Sequence, residues 1–140
     1  YRAVVVGTPV MDQIDAPIAP DPADRRRFAV EASGRPARTL VRVVETAGGV
    51  SLVELELITG RTHQARVHAA HLGHPIAGDD KYGDREFNRR LHKLGLRRLF
   101  LHAQRLRFEH PVSGCKMDVE APLPDELSLL LERLAHETKA

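Results

Sequence analysis

The hydrophobic and polar positions of the chain alternate most clearly in two neighbouring segments, residues 39–45 and residues 50–57. Both segments are rich in β-branched and aliphatic residues, and a Gly-Gly pair lies between them. This arrangement predicts an antiparallel hairpin. The period of two in the second strand places two leucines on one face and two glutamates on the other: Leu55 and Leu57 against Glu54 and Glu56.

The pattern predicts further strands at residues 1–7, 99–108 and 116–120, a short strand within 14–18, and helices at 62–72, 84–94 and 124–135. The first helix would take Thr59 or Thr62 as its N-cap and end at Gly73, and the second would end at Gly95. The third carries four leucines on its buried face: Leu127, Leu130, Leu131 and Leu134. Because strands come in hairpins and helices occur singly, we expect an α+β fold with a mixed, largely antiparallel sheet and packed helices.

Length and composition limit the class of protein. A chain of 140 residues forms at most one domain, and 42% hydrophobic residues suffice for a core. No apolar run approaches the roughly 18–20 residues needed to cross a bilayer, so no membrane partner is expected. The single cysteine, Cys115, excludes an internal disulfide framework and suits a reducing, cytoplasmic setting. It has no histidine at a fixed spacing, so we do not expect it to be a nucleophile.

Charge alone says little about nucleic acid, because the formal net charge is only +2. The type of cation is more informative, since arginine outnumbers lysine and its guanidinium forks onto phosphates and stacks on bases. Aromatic residues make up 4% of the chain, which argues against a surface of many stacked aromatics. The run Arg25-Arg26-Arg27 could clamp phosphates, although a charged run in a loop is more often solvated.

Candidate chemistry concentrates in two segments, residues 57–68 and 73–79. The first passes from a strand through Gly60 into a helix start that carries Arg61 and Arg66. The first N–H groups of a helix have no internal partner, so this position favours an anion such as phosphate or a carboxylate. Two solvated surface cations are the alternative interpretation. The flanking Thr62, His63 and Gln64 make it less favoured, because a polar Gly turn at a helix start is typical of a site.

Histidines are also dense here, which raises the alternative of a metal site: His63, His68, His71 and His74. No carboxylate or cysteine joins them at ligand spacing, and no two of them are four residues apart. We therefore expect packing, hydrogen bonds or RNA contacts in place of a metal. The pair Asp79-Asp80 does not predict two carboxylates acting together, because neighbours in sequence point apart.

Several segments together resemble the RluA-type RNA pseudouridine synthases. The opening Tyr1–Gly7 is similar to a Tyr-x-Ala-x-Val-x-Gly strand of that family, and residues 59–68, Thr-Gly-Arg-Thr-His-Gln-Ala-Arg-Val-His, match its third motif with Ala65 where Ile or Leu is usual. The later matches are 73–76, Gly78-Asp79, Tyr82-Gly83, 99–103 and His110-Pro111-x-Ser113-Gly114. Residues 80–88 are closest to the branch that acts on large-subunit ribosomal RNA.

The resemblance implies a pseudouridine synthase fold and the isomerisation of uridine to pseudouridine in RNA, with large-subunit ribosomal RNA as the expected partner and without cofactor or metal. It assigns two catalytic residues: Tyr1 would stack on the uracil and help to remove its C5 proton, and Arg61 would form a salt bridge with the catalytic aspartate. Five further residues are predicted to contact RNA: His63, Gln64, Arg66, Lys81 and Tyr82.

One element of the family pattern is missing, because the chain holds no His-Arg-Leu-Asp sequence, the motif that carries the nucleophile. We therefore expect residues 1–140 to be the C-terminal part of a catalytic domain, inactive alone, with unpaired sheet edges and a tendency to self-associate. Two alternatives stay open: an RNA-binding fragment without chemistry, and a metal-dependent hydrolase that uses the histidine cluster.

Overall fold

The computed structural model describes residues 1–24, 26–47, 49–96, 98–102, 105–109, 112–114, 116–121 and 123–139. Several residues singled out above lie outside them: Arg25, Gly48, Ala103, His110, Pro111 and Cys115. The strands are β1 (Arg2–Val6), β2 (Gln13–Asp15), β3 (Ile18–Pro20), β4 (Phe28–Val30), β5 (Arg38–Ala47), β6 (Val50–Leu57), β7 (Leu101–His102), β8 (Arg105–Glu109) and β9 (Lys116–Glu120). The helices are α1 (Gln64–His71), α2 (Arg85–Lys93) and α3 (Asp125–Lys139).

The principal sheet has five strands in the order β2-β5-β6-β1-β7, and every pairing in it is antiparallel among the described residues. Two small antiparallel pairs, β3-β4 and β8-β9, stand apart from it. The expected α+β class with a largely antiparallel sheet is confirmed.

The predicted hairpin is β5-β6, with Thr39 opposite Leu57 and a register shift between Val43 and Glu45. Its turn uses Gly49 at a φ of 81°, a conformation that favours glycine. The predicted alternation also holds, since Leu55 is buried while Glu54 is ion-paired with arginines near the surface.

The sheet is covered on both faces. Helix α1 packs on the face that carries Ala3, Val53 and Leu55, while the other face packs against Phe100 and two helices. In α3 the predicted buried leucines Leu127 and Leu130 are 0% and 1% exposed, and Leu131 is partly buried. The side chain of Leu134 lies outside the described part. Since both faces are covered, the chemistry is confined to the ends of strands and to the loops.

Several predictions of element boundaries were wrong. The short strand predicted within 14–18 is two strands in different sheets, β2 and β3, and α3 extends to Lys139. Helix α1 begins at Gln64 and not at residue 62, and its N-cap is His63, which has a left-handed backbone and no side-chain cap. The predicted strand 99–108 is two short strands in different sheets, because residues 101–102 pair with β1 whereas residues 105–109 pair with β9. Helix α2, by contrast, closely follows its prediction, with Asp84 as N-cap and Gly95 at a φ of 106° beyond its end.

The outer edge of β1 is not left open. Residues 101–102 pair with its first half, and Ile76 bridges to Val5 while Ala77 N–H donates to the carbonyl of Val4. The edge strands of the sheet are β2 and β7, so the expectation of unpaired edges and of self-association stays a prediction. Among the described residues, none of the helices has the length and apolarity that a membrane span requires.

Candidate functional site

The turn between β6 and α1 carries Arg61 and is held by one buried amide. Gln64, 1% exposed, accepts on Oε1 from the Thr59 hydroxyl at 2.6 Å and from the Arg61 backbone N–H at 3.1 Å. Its Nε2 donates to the carbonyl of Arg38 at 2.8 Å and to Thr39 Oγ1 at 2.9 Å. All four hydrogen-bonding positions of the amide are thus used, which fixes the turn rigidly on the end of β5.

The network continues inward to a buried histidine. Thr39 Oγ1 lies 2.8 Å from His68 Nδ1, and His68 Nε2 lies 2.8 Å from the carbonyl oxygen of Ala16. Because a carbonyl can only accept, Nε2 carries the proton, and Thr39 donates its hydroxyl to Nδ1. Burial lowers the pKa of His68, which agrees with a neutral ring. The neutral ring ties α1 to β5 and to the loop after β2.

The side chain of Arg61 lies at the surface of this turn. Its Nε donates to the carbonyl of Pro36 at 2.9 Å, which orients the guanidinium. Among the described residues, no carboxylate pairs with it and its two terminal nitrogens make no hydrogen bond. The turn therefore presents an oriented, partly exposed cation whose outer donors can take an incoming anion.

Tyr1 lies at the same end of the sheet. Its backbone N–H and carbonyl exchange hydrogen bonds with Leu55, both at 2.8 Å, two residues before β6 ends. Strand alternation puts Tyr1 on the face of Ala3, which is the face that α1 covers. Its side chain is among the exposed large hydrophobic groups, with 41% of the residue accessible, so the ring can take a planar ligand.

Arg66, the second arginine of the motif, is already paired. Its Nε and Nη2 donate to the two carboxylate oxygens of Asp79 at 3.0 and 2.7 Å, a bidentate fork. Asp79 Oδ1 also accepts from the backbone N–H groups of Lys81 and Tyr82, both at 3.0 Å. Burial alone would raise the pKa of Asp79, but these donors outweigh it and hold that pKa below its ordinary value. The pair holds α1 to the loop 79–83.

His63 and Tyr82 are in contact, and the Arg66 guanidinium lies over the Tyr82 ring. His63 Nδ1 lies 3.0 Å from the Tyr82 hydroxyl, which also accepts from the backbone N–H of Phe28 at 2.9 Å. The His63 ring packs edge-on against Phe28 and Tyr82, and burial, followed by the charges of Arg66 and Lys81, lowers its pKa. These contacts explain why a histidine tolerates a φ of 54° at this corner.

The candidate site residues thus fall into two groups. Tyr1, Arg61 and Lys81 have accessible side chains at the surface, whereas Gln64 is buried and satisfied within the protein. Arg66 is paired with Asp79, and the Tyr82 hydroxyl is hydrogen-bonded to the backbone of Phe28 and to His63. The structure brings His63 and Tyr82 into contact and joins Lys81 to Arg66 through Asp79.

Two residues essential to this geometry were missed from sequence. Asp79 was noted in the family match Gly78-Asp79 and in the pair with Asp80, but not as a partner of Arg66, yet its side chain is fully buried while that of Asp80 is 99% exposed. Thr39 was seen only as the start of a strand. The signal that could have found Asp79 is its position directly after Gly78, whose φ of 79° turns the chain inward.

The histidines do not converge. His68 and His63 are bonded as described, and His74 Nδ1 lies 2.8 Å from the carbonyl of Val6. In the part of the chain that the structure describes, no cluster of three or more histidine, cysteine or acidic side chains could hold a metal ion.

Comparisons with known proteins agree with the resemblance. The family model described as RNA pseudouridylate synthase matches residues 1–71. An uncharacterized RNA pseudouridine synthase of Chloroflexus aurantiacus is 52% identical over 96% of this chain and 41% of its own length. The ribosomal large subunit pseudouridine synthase C of Escherichia coli strain K12 is 48% identical over 78% of this chain and 35% of its own length.

A solved structure, the human RNA Pseudouridylate Synthase Domain Containing 1, matches with a TM-score of 0.75 and 28% identity over 99% of this chain and 64% of its own. The chain spans about two fifths or less of the length of the Chloroflexus aurantiacus and Escherichia coli relatives.

Proposed function

Since the chain belongs to the RNA pseudouridylate synthase family, we propose that it forms part of a catalytic domain that converts uridine into pseudouridine in RNA. The substrate we propose is large-subunit ribosomal RNA, as the name of the Escherichia coli relative states for that protein. The reaction breaks the bond from the sugar to N1 of uracil, and the detached base turns so that C5 takes its place. An isomerisation has no net oxidation or reduction, so no redox cofactor is needed. We propose that the protein acts in the cytoplasm.

The observation that supports this proposal is the state of Arg61. The buried Gln64 amide fixes its backbone, the Pro36 carbonyl orients its Nε, and its outer nitrogens have no partner among the described residues. A planar guanidinium group held in this way matches the two oxygens of a carboxylate. It would keep that carboxylate ionised and oriented. An arginine that served only solubility would need no such support.

We assign the carboxylate to an aspartate outside these 140 residues. The chain lacks the His-Arg-Leu-Asp sequence, and it covers only part of its relatives' length. In this assignment Tyr1 stacks on the flipped uracil and helps to remove the C5 proton, since its ring is exposed on the same end of the sheet.

RNA contacts are proposed for the accessible Lys81 and for His63, whose ring lies beside the Arg61 turn. For Gln64, Arg66 and Tyr82 we propose a different role from the direct contact expected from sequence. Each already uses its polar groups inside the protein, so each positions the turn and the loop 79–83.

The test replaces Arg61 in the protein that carries these 140 residues. Arg61→Ala should lower the rate of pseudouridine formation at saturating ribosomal RNA by about 100-fold or more, as loss of an electrostatic partner in a site does. RNA affinity should hardly change. Arg61→Lys should recover little, because lysine cannot fork. Arg35→Ala, an exposed arginine before β5, is the matched control and should keep the wild-type rate.

The alternative of an RNA-binding fragment without chemistry gives the opposite pattern. In that case no pseudouridine is formed by the wild-type protein, and Arg61→Ala weakens RNA binding and lowers its salt slope by about one unit. Pseudouridine made by residues 1–140 alone would overturn the assignment of the carboxylate to another segment. Mass spectrometry after chemical derivatisation of the treated RNA measures pseudouridine, and binding titrations at several salt concentrations measure affinity.

A further inference from the structure

A polar cleft lies beside the site, between the loop 21–27 and residues 80–85, the last of which begins α2. Its volume is about 470 Å³. Four cationic side chains and two carboxylates line it: Arg26, Arg27, Lys81, Arg85, Asp24 and Asp80. The cleft thus has two more cations than carboxylates, the same excess that the whole chain carries. It is therefore a local centre of positive charge on a nearly neutral protein.

The two carboxylates neutralise little of this charge. Asp24 is paired with Arg26 at 3.2 Å, and the side chain of Asp80 is 99% exposed. Within the described part of the chain, no carboxylate pairs with Arg27, Lys81 or Arg85. Three cations accordingly face the cleft without an anionic partner.

Arg27 is held in place and is not a mobile surface cation. Its guanidinium carbon lies 5.0 Å from the centre of the Tyr82 ring, and its backbone is bonded to Asp21 and Asp24. Its Nε is buried and makes no hydrogen bond within the described part of the chain, while the side chain lines the cleft. The solvated interpretation of this charged run is therefore wrong for Arg27, although it suits Arg26, whose side chain is 88% exposed.

The cleft is joined to the candidate active site through one side chain. Tyr82 lines the cleft, and its hydroxyl lies 3.0 Å from the ring nitrogen of His63, two residues after Arg61. The cleft and the Arg61 turn are thus linked through the contact between Tyr82 and His63.

We propose that this cleft binds a phosphate group of the RNA backbone near the target uridine. The proposal rests on the proposed function, because it takes RNA as the ligand. A guanidinium fork beside an ammonium group and a second arginine is the donor set that binds a phosphate diester, and the polar lining does not suit an apolar partner. The contact fixes the register of the RNA and carries no sequence information.

The test measures RNA affinity against salt for the protein that carries these residues. Lys81→Gln/Arg85→Gln changes two side chains at the surface, and Arg35→Gln/Lys93→Gln is the matched control with two exposed cations outside the cleft. The cleft variant should bind ribosomal RNA several-fold more weakly, and the slope of log K against log salt should shrink by about 0.7–0.9 for each phosphate that the protein no longer neutralises. The control should keep the wild-type slope. A third variant, Arg27→Gln, should weaken RNA binding in the same way; its melting curve checks that it still folds.

A scan with single methylphosphonate groups in the RNA locates the bound phosphate. Neutralising one particular phosphate should weaken binding to the wild type and have no further effect on the cleft variant. An unchanged salt slope in the cleft variant, or equal losses at every methylphosphonate position in both proteins, overturns the proposal. That failure is distinct from failure of the proposed function, which shows as turnover that survives Arg61→Ala.

Discussion

Arg61 and Arg66 lie in one motif, yet their different surroundings give the two side chains different roles. Arg66 forks onto the buried carboxylate of Asp79, so its charge is neutralised inside the protein. Arg61 is oriented through the carbonyl of Pro36, which is a neutral acceptor and leaves the positive charge uncompensated. A charge that is held but not neutralised is suited to an anion that arrives from outside, whereas the neutralised one stabilises the fold.

This difference predicts a stability effect at Arg66. Arg66→Lys keeps the charge but cannot make the bidentate fork, so one oxygen of the buried Asp79 loses a donor. We expect the free energy of unfolding to fall by about 1–3 kcal/mol, measured by urea denaturation. Arg35→Lys, at an exposed position, should stay within about 0.5 kcal/mol of wild type. Equal effects of the two substitutions would show that the fork contributes nothing to the fold.

Among the elements, the corners around α1 are built by glycines under different constraints. Gly73, after α1, and Gly78, before the loop 79–83, have φ values of 83° and 79°. A Cβ at Gly73 would meet nothing within 4 Å, whereas a Cβ at Gly78 would overlap the carbonyl oxygen of Arg98. Both positions therefore have a left-handed φ, and they differ in the space available for a side chain.

A matched pair of substitutions separates the two effects. Gly73→Ala should cost about 1–2 kcal/mol of unfolding free energy, because an L-residue pays that amount in the left-handed region. Gly78→Ala should cost about 1–3 kcal/mol more, because the close contact forces the backbone to move. Thermal or urea unfolding measures both. Similar losses in the two variants would show that the neighbouring carbonyl can yield.

The same elements show which parts of the fold sequence reasoning could reach. Hairpin β5-β6 and helix α2 were predicted because their signals are local: alternation around a glycine turn, and a polar helical segment that ends at Gly95. The start of α1 was mispredicted because His63 is held left-handed by contacts with Phe28 and Tyr82, which no local pattern records.

In the candidate site, too, local features were predicted from sequence and long-range contacts were not. The motif around Arg61 is contiguous and was recognised, whereas the ion pair of Arg66 joins residues 13 positions apart. Its partner Asp79 was part of the match Gly78-Asp79, but only the folded structure shows that Asp79 is buried and paired with Arg66. The split of segment 99–108 into β7 and β8 likewise depends on which strand lies beside it.

In the whole molecule, one buried polar chain joins parts that are distant in sequence. The carbonyl of Ala16, the ring of His68, the hydroxyl of Thr39 and the amide of Gln64 are linked in that order. Through Gln64 the chain ends at the Arg61 turn. Protonation of His68 would remove the acceptor for the Thr39 hydroxyl and place a charge in the core, so the integrity of the site is coupled to pH.

The coupling predicts how stability changes with pH. The pKa of His68 is lowered in the folded protein by burial, so between that value and its ordinary value near 6.5 only the unfolded chain binds the proton. Stability is therefore complete above about pH 6.5 and falls as the pH decreases, by up to about 1.4 kcal/mol per pH unit for one proton. The lowered pKa of His63 acts in the same direction.

Substitution of His68 tests whether its ring binds the proton that lowers the stability. Urea denaturation at a series of pH values should give a smaller pH slope for His68→Gln than for wild type, because one titrating group is gone. The measured quantity is the slope of the unfolding free energy against pH. The urea midpoint at a single pH is not used, since the substitution also lowers stability at every pH. Val10→Ala, at an exposed position, removes no titratable group and should keep the wild-type slope. If His68→Gln keeps it too, His68 is not the proton acceptor. In that case nitrogen NMR of the wild type should fail to show the neutral ring with its proton on Nε2, because that tautomer is what the bond to Ala16 requires.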